Sequence, residues 1–194
     1  MEGLRRRSLV VLGAAGVVVL AGGGCSAGPE IEVPQGWRRV SAGSAAFNVP
    51  QEWQEVTIPE EADVGSWDWA MQDVADWDDE SVGCRLLVMT HGAGDFVDAP
   101  PDNAEDMALE LSLVQVFGGG IAGPPYEVEG PPDQLWRMDH RLRLFSQEDK
   151  EDKDHVLVAQ DEGRPEIAII GLTGLEVDEE LMSTFTAGIE VLHD

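Results

Sequence analysis

Apolar and polar residues alternate along several stretches of the chain, and this period of two predicts β-strands. In the first half of the chain, the pattern predicts strands or extended segments at 37–43, 44–50, 51–58 and 84–90. The segment 84–90 is apolar on both faces, which is typical of a central strand. Three later strands follow one another closely and predict an antiparallel meander, at 134–145, 155–160 and 166–172.

The strand at 134–145 alternates over its whole length, which predicts one face in the core and one face in water. Trp136 and Met138 are expected to face the core, and Arg137 and Asp139 are expected to face solvent. The sheet is therefore expected to be half-buried at this strand.

Apolar residues spaced by three and four predict two helices. The helix at 103–117 has Asp102 or Asn103 as its N-cap and glycines at its end. The second helix begins after another N-cap residue, Asp178, and its expected apolar face comprises Leu181, Phe185, Ile189 and Leu192. The order strands, helix, strands, helix predicts an α+β domain in which two main helices cover a largely antiparallel sheet.

The N-terminal segment has the layout of an export signal. Three arginines at 5–7 precede an apolar run at 9–21, and glycines then lead to Cys25. The pattern resembles a bacterial lipoprotein signal, in which the cysteine after the cut is lipidated and becomes the N-terminus. An uncleaved N-terminal anchor and an ordinary secretory peptide are the alternatives. The expected organisation is a signal peptide at 1–24, a flexible tether at 25–36 and one domain at 37–194.

The two cysteines of the chain are Cys25 and Cys84. Lipidation of Cys25 leaves Cys84 as a lone thiol, whereas a soluble secreted form could join the two residues in a disulfide. The strand pattern places Cys84 on one face with Leu86 and Val88. This placement favours a buried, unreactive thiol with a raised pKa.

Acidic residues greatly outnumber basic ones, and the formal net charge is −26. Such a charge repels the phosphates of nucleic acids, so DNA and RNA are excluded as direct partners. It attracts cations, basic peptides and basic protein surfaces. A solvated acidic surface without a cation-binding role accounts for the same composition.

Three tryptophans, Trp67, Trp69 and Trp77, are interleaved with acidic residues. Aromatic faces attract cations and carboxylates reinforce the attraction, so these residues are the predicted binding site for a small cationic or peptide ligand. Trp67 and Trp69 are expected to share a strand face with Met71. The alternative is that the tryptophans belong to the core of the sheet.

Sequence signatures of common catalytic sites are absent, including G-x-S-x-G, H-E-x-x-H and the P-loop. The histidines are scattered along the chain, at His91, His140, His155 and His193. No catalytic residue, metal site or cofactor is therefore predicted. The alternative is an envelope hydrolase or transferase whose site combines His91 or His155 with acidic residues.

The segment 47–53 (FNVPQEW) resembles the F-x-V-P-x-G-W opening of PsbP-like domains. The end of the chain, 178–189, is similar to the closing helix of that family, D-E-E-L-x-x-x-F-x-x-x-I. The order of elements looks most like the actinobacterial lipoproteins of the LpqN type. The resemblance implies an α-β-α sandwich with binding or assembly roles.

The expected protein is therefore lipid-anchored on the extracytoplasmic face of the cell membrane. It is expected to be a non-catalytic binding or accessory module of the cell envelope. Its expected partners are the membrane, through the lipid on Cys25, and an envelope protein or a small cationic or peptide ligand, through the domain.

Overall fold

The computed structural model describes residues 31–62, 64–79, 81–91, 101–113, 121–142, 152–174 and 176–193. For residues 121–122, 140–142 and 152–153 it describes the backbone. The predicted signal peptide and Cys25 lie outside the described residues. Within the described ranges, neither helix has the length and apolar character that crossing a membrane requires.

The described ranges contain both helices and strands, with strands in the majority, as the predicted α+β class requires. The helices are α1 (Ala104–Leu113) and α2 (Glu179–Thr186). The strands are β1 (Trp37–Ala42), β2 (Ala45–Pro50), β3 (Gln54–Val56), β4 (Trp69–Gln72), β5 (Arg85–Val88), β6 (Ile121–Ala122), β7 (Tyr126–Glu127), β8 (Gln134–Leu142), β9 (Asp152–Gln160), β10 (Ala168–Thr173) and β11 (Glu190–Val191).

The strands form two antiparallel sheets. The large sheet has eight strands in the order β3-β4-β5-β10-β9-β8-β6, with β7 also paired to β8. It contains the predicted meander, since β8 pairs with β9 and β9 pairs with β10. The small sheet has the order β1-β2-β11 and was not predicted. Its last strand has only two residues, and it pairs with β2 from the other end of the chain.

Two hydrophobic clusters lie on opposite faces of the large sheet. The first cluster lies between the large sheet, the small sheet and α2, and it includes Phe47, Leu86 and Phe185. The second cluster lies between the large sheet and α1, and it includes Leu87 and Met107. Neighbouring residues of β5 therefore belong to different clusters, as the period of two requires. The large sheet is covered on both faces.

The coverage of both faces changes the expected environment of β8. Met138 is fully buried in the second cluster, as predicted. Arg137 is only 7% exposed, so the prediction that it faces solvent is wrong. Arg137 points to the side of the first cluster, where α2 covers the sheet and its Glu179 pairs with the guanidinium. The alternation along β8 correctly predicted its two faces. It could not show that α2 covers the face that was expected to meet solvent.

Helix α2 begins as predicted and ends earlier than predicted. The Asp178 side chain accepts a hydrogen bond of 2.8 Å from the backbone nitrogen of Leu181, which makes it the N-cap. The helix stops at Thr186, so Ile189 lies beyond its end. A side chain at Gly188 would lie 2.8 Å from the Asn48 amide, and the chain turns there into β11. The predicted continuous helical face is therefore wrong.

The residues just before β1 pack against the small sheet. The chain divides into two compact units, and these residues belong to the larger one, Ile31–Asp194. The Asn48 side-chain amide donates a hydrogen bond of 2.9 Å to the carbonyl oxygen of Glu32. The backbone nitrogen of Trp37 donates to the carbonyl of Pro34 at 3.0 Å. Part of the segment predicted as a flexible tether is thus held on the domain.

Candidate functional site

The predicted aromatic site is divided between two faces of the large sheet. Trp67 is 3% exposed and belongs to the second cluster. Trp69 packs against the first cluster and meets the Phe47 ring edge-on, with 6.0 Å between the centroids. Met71 also lies in the first cluster, so the prediction that Trp67 shares its face is wrong. Strand β4 begins only at Trp69, and Trp67 lies in a turn closed by its own hydrogen bond to Val64.

The third tryptophan, Trp77, already has a cation on its ring. The guanidinium carbon of Arg85 lies 3.7 Å from the ring centroid, within the range of a cation–π contact. Arg85 is 6% exposed. Burial lowers the pKa of Arg85 to about 10, although the charges of Asp78 and Asp73 oppose this shift. The aromatic face that was predicted to attract an external cation therefore contacts the chain's own arginine.

Arg85 also organises the acid-rich loop that carries Trp77. Its Nε donates to the Gln72 side-chain oxygen at 2.7 Å, and its Nη2 donates to the Trp77 carbonyl at 2.6 Å. The Gln72 amide in turn donates to the Asp76 carbonyl at 2.6 Å. The loop between β4 and β5 is thus built around a buried guanidinium. We refer to Gln72, Trp77 and Arg85 as the Arg85 cluster.

A double-mutant cycle measures the contact between Arg85 and Trp77. Arg85→Met leaves the Gln72 oxygen and the Trp77 carbonyl without their donor, so it is expected to cost about 1–3 kcal/mol. Trp77→Leu removes the ring and keeps the backbone carbonyl. The expected coupling energy from urea unfolding of the four proteins is about 0.5–2 kcal/mol. Additive effects would show that the ring contributes nothing to holding the guanidinium.

A second polar cluster lies between β7, β8, β9 and α2. It comprises Tyr126, Arg137, Asp139, His155 and Glu179, which we call the Arg137 cluster. The strand register brings four of them together, because Tyr126 is opposite Arg137 and Asp139 is opposite His155. Glu179 joins them from the first turn of α2. The sequence predicts His155 as a candidate together with unspecified acidic residues. It does not reveal the other members of the cluster, because their proximity depends on strand register and helix packing.

Hydrogen bonds connect every member of the Arg137 cluster. One Asp139 oxygen is 2.7 Å from both His155 Nδ1 and Arg137 Nε, and the other accepts from the Tyr126 hydroxyl at 2.9 Å. Arg137 donates to both oxygens of Glu179, at 2.9 and 3.1 Å. This two-pronged geometry is the strong form of an arginine–carboxylate pair.

The charges of the Arg137 cluster shift the pKa of each of its carboxylates. Burial alone would raise the pKa of Asp139, but hydrogen bonds from His155, Arg137 and Tyr126 lower it overall. The hydrogen bond from Arg137 lowers the pKa of Glu179. Burial raises the pKa of Tyr126 to about 12, and the bond to Asp139 adds to the shift. At neutral pH both carboxylates are ionised and the tyrosine is protonated.

The histidine of the Arg137 cluster is neutral at neutral pH. Burial lowers the pKa of His155, the charge of Arg137 adds to this effect, and the hydrogen bond to Asp139 opposes it. Nδ1 of His155 lies 2.7 Å from the Asp139 oxygen and 3.3 Å from Nη2 of Arg137. Because the ionised carboxylate can only accept and is the nearer of the two, this geometry favours the tautomer with the proton on Nδ1. A carboxylate that orients a neutral imidazole is one half of a general-base arrangement. The His155 side chain is only 6% exposed, however, and its neighbours are bonded to one another.

We expect the protein to lose stability as the pH falls below 6.5, the ordinary pKa of histidine. The pKa of His155 is lower in the folded protein, so the unfolded chain takes up a proton that the folded protein does not. This linkage contributes at most about 1.4 kcal/mol per pH unit. Urea unfolding at about pH 7.5 and about pH 5.5 should show a smaller difference for His155→Gln than for the wild type. Equal differences would exclude His155 as the source of the effect.

The remaining histidines lie elsewhere. The His91 ring is 89% exposed, and its Nδ1 lies 2.5 Å from Asp68. His193 is 2.9 Å from Asp161 through Nε2 and 3.1 Å from Glu166 through Nδ1. The side chain of His140 lies outside the described residues. Among the described residues no three histidine, cysteine or acidic side chains converge as metal ligands.

Cys84 is buried as predicted. It is 4% exposed and belongs to the first cluster with Leu86 and Val88. Burial raises the pKa of the Cys84 thiol to about 12, and the charges of Asp73 and Glu176 add to the shift. A thiol with this pKa is protonated and weakly nucleophilic at neutral pH.

An open acidic depression of about 410 Å³ lies along the end of β7 and the segment that leads to β8. It follows the chain directly after Tyr126, and its lining residues are Glu127, Val128, Glu129, Gly130, Pro132 and Asp133.

A scan against protein-family models finds no family that matches this chain, and a search of curated proteins finds no matching relative.

Proposed function

We propose that this chain is a lipid-anchored binding or accessory module on the extracytoplasmic face of the cell membrane, without catalytic activity of its own. One observation carries the non-catalytic part of this proposal. In both polar clusters, the charged and aromatic groups that could act on a ligand already have partners within the chain. The Arg85 guanidinium lies over the Trp77 ring, and Arg137 pairs with both Asp139 and Glu179. Their arrangement favours a structural role for these groups. A ligand or partner protein would then be bound by other residues, on the surface of the domain.

A PsbP-like fold is the second part of the proposal. The aromatic residues of the segment 47–53, which resembles the opening motif of that family, lie in the core. Phe47 is fully buried and Trp53 is 4% exposed. The backbone nitrogen of Trp53 donates to the Pro50 carbonyl at 3.2 Å, which closes the turn after β2. Helices α1 and α2 lie on opposite faces of the large sheet. These features are compatible with the α-β-α arrangement that the resemblance implies.

An envelope hydrolase or transferase is the alternative function. The observation that favours it is the distance of 2.7 Å between the neutral His155 and Asp139. Substrate panels of esters, amides and glycosides would be tested with the wild type and with His155→Gln. Turnover that disappears in a folded His155→Gln variant would support the enzyme, and turnover by neither protein would support the module.

The lipid anchor is tested by cell fractionation of Cys25→Ser, with Cys84→Ser as the matched control. The wild type and Cys84→Ser are expected in the membrane fraction. Cys25→Ser cannot be lipidated, so we expect loss of the lipid-modified form and release of any processed protein from the membrane. An uncleaved precursor is recognised by its larger mass. Identical lipid-modified products from all three proteins would contradict the proposal.

A further inference from the structure

Helix α1 carries two exposed leucines on the same side. Leu109 is 50% exposed and Leu113 is 75% exposed. Residues four positions apart are neighbours on a helix surface, so the two side chains adjoin each other. In the described ranges, the other exposed large apolar residues are Val33 and Tyr126, which lie apart in the chain. A single exposed apolar residue needs no explanation, whereas an adjacent pair forms an apolar patch in water.

The leucine pair lies at the centre of the exposed side of α1, with acidic residues on both flanks. The opposite side of the helix is buried against the second cluster. Successive residues of a helix are rotated by about 100°, which places Glu105 on one flank of the leucines and Asp106 and Glu110 on the other. These three acidic residues are exposed, and α1 contains no basic residue. We call Glu105, Asp106, Leu109, Glu110 and Leu113 the α1 surface.

An exposed basic residue near the start of α1, Arg164, does not reverse the charge of this surface. The Gln160 side chain binds both the backbone nitrogen of Ala104, at 2.9 Å, and the carbonyl of Arg164, at 2.7 Å. Arg164 therefore lies at the N-terminal end of the helix, away from the leucine pair. Its neighbours in the chain include Glu162 and Glu166, and the formal net charge of the whole chain is −26. The α1 surface is thus set in a negative field.

The charge around the leucines favours one class of partner. An anionic membrane and a second copy of this acidic chain both carry negative charge, so repulsion opposes their approach. Small-molecule sites are concave, whereas the exposed side of a helix is convex. A protein segment with apolar side chains on one face and lysine or arginine beside them matches the surface. Its apolar face would bury the leucines, and its basic residues would pair with the carboxylates at the rim.

From the leucine pair and its acidic flanks we infer that the α1 surface docks a basic amphipathic segment of another protein. The leucines supply the buried centre of the contact, and Glu105, Asp106 and Glu110 select a basic partner. This inference deepens the proposed binding function, on which it rests, because it names the surface and the chemistry of the partner. It does not depend on the lipid anchor.

The docking surface is tested with two labelled model peptides that have the same leucine and lysine content. One peptide places its leucines on a single helical face, and the other distributes them around the helix. The full-length mature protein from its native host is held in phosphatidylcholine nanodiscs, and protein-free nanodiscs are the blank. Fluorescence anisotropy of the peptides gives the dissociation constants.

The test variant is Leu109→Gln/Leu113→Gln, since glutamine favours helix formation about as well as leucine and removes the apolar contact. The matched control is Val33→Gln, which changes an exposed apolar residue outside α1. Urea unfolding verifies that both variants are folded. The wild type and Val33→Gln are expected to bind the amphipathic peptide at least about tenfold more tightly than the other peptide, and the double variant is expected to lose this preference.

Equal affinity of the wild type for both peptides would overturn the inference, because the net charge alone would then account for binding. A preference that persists in the double variant would also overturn it. A wild-type dimer that the double variant does not form would show that a second copy covers the leucines, and would overturn the basic partner. These outcomes leave the proposed binding function standing, since that function is overturned by turnover in the substrate panels.

Discussion

Phe47→Ala is expected to lower the free energy of unfolding by about 3–5 kcal/mol. Phe47 is fully buried in β2, and its ring centroid lies 5.5 Å from that of Phe185 and 6.0 Å from that of Trp69. These partners belong to α2 and to the large sheet. The substitution removes a ring that joins three layers, and the cavity left behind cannot collapse from one side alone.

Urea unfolding of Phe47→Ala should be compared with that of Leu113→Ala. Leu113 is 75% exposed on α1, so its truncation is expected to change the unfolding free energy by less than about 0.5 kcal/mol. A typical domain has only about 5–15 kcal/mol of stability, and Phe47→Ala should therefore unfold at a much lower urea concentration. Similar midpoints for the two variants would show that the first cluster does not hold the sheets together.

Gly174→Ala is expected to cost at least about 3 kcal/mol, because it combines backbone strain with a clash. The φ angle of Gly174 is 135°, a conformation that residues with a side chain rarely adopt. A Cβ atom there would lie 2.2 Å from the carbonyl oxygen of Gly83. That oxygen also accepts a hydrogen bond of 3.0 Å from the backbone of Glu176, so it cannot move freely.

Gly163→Ala is the matched control for Gly174→Ala. Gly163 also has a positive φ angle, 72°, but a Cβ atom there would meet nothing within 4 Å. Its expected cost is the strain alone, about 1–2 kcal/mol. Thermal unfolding of the two variants separates strain from clash. An equal loss in both would mean that the backbone around Gly83 shifts to accept the new methyl group.

The regular parts of the fold could be predicted from local patterns. The alternation along β8 predicted a long strand, and the apolar spacing of Ala104, Met107 and Leu111 predicted α1. Asp178 predicted the start of α2, because an N-cap is recognised by a few neighbouring residues. Each of these features depends on interactions within one segment of the chain.

Features that depend on distant parts of the chain could not be predicted in this way. Strand β11 exists because two residues pair with β2, and no local pattern of that length specifies a strand. Arg137 is buried because α2 packs over β8, which alternation within β8 does not reveal. Trp67 changes face because a turn precedes β4, and the simple period of two was extended across it.

The candidate sites follow the same division. Trp77 could be identified as a cation-binding ring from its aromatic side chain and its acidic neighbours. The identity of the cation, Arg85, depends on the pairing of β4 with β5. His155 could be identified as a candidate, whereas Asp139 and Glu179 join it through strand register and helix packing. The sequence therefore showed which residues could belong to a site, but it did not show which residues they contact.

The proposed lipid anchor is tested by the intact mass of the mature protein isolated from membranes of its native host, with fragmentation at the N-terminus. We expect a chain that begins at a lipid-modified Cys25 and contains Cys84 as a free thiol. An unmodified N-terminus would contradict it. A disulfide between Cys25 and Cys84 would contradict it most strongly, because the protein would then be a soluble secreted domain without an anchor.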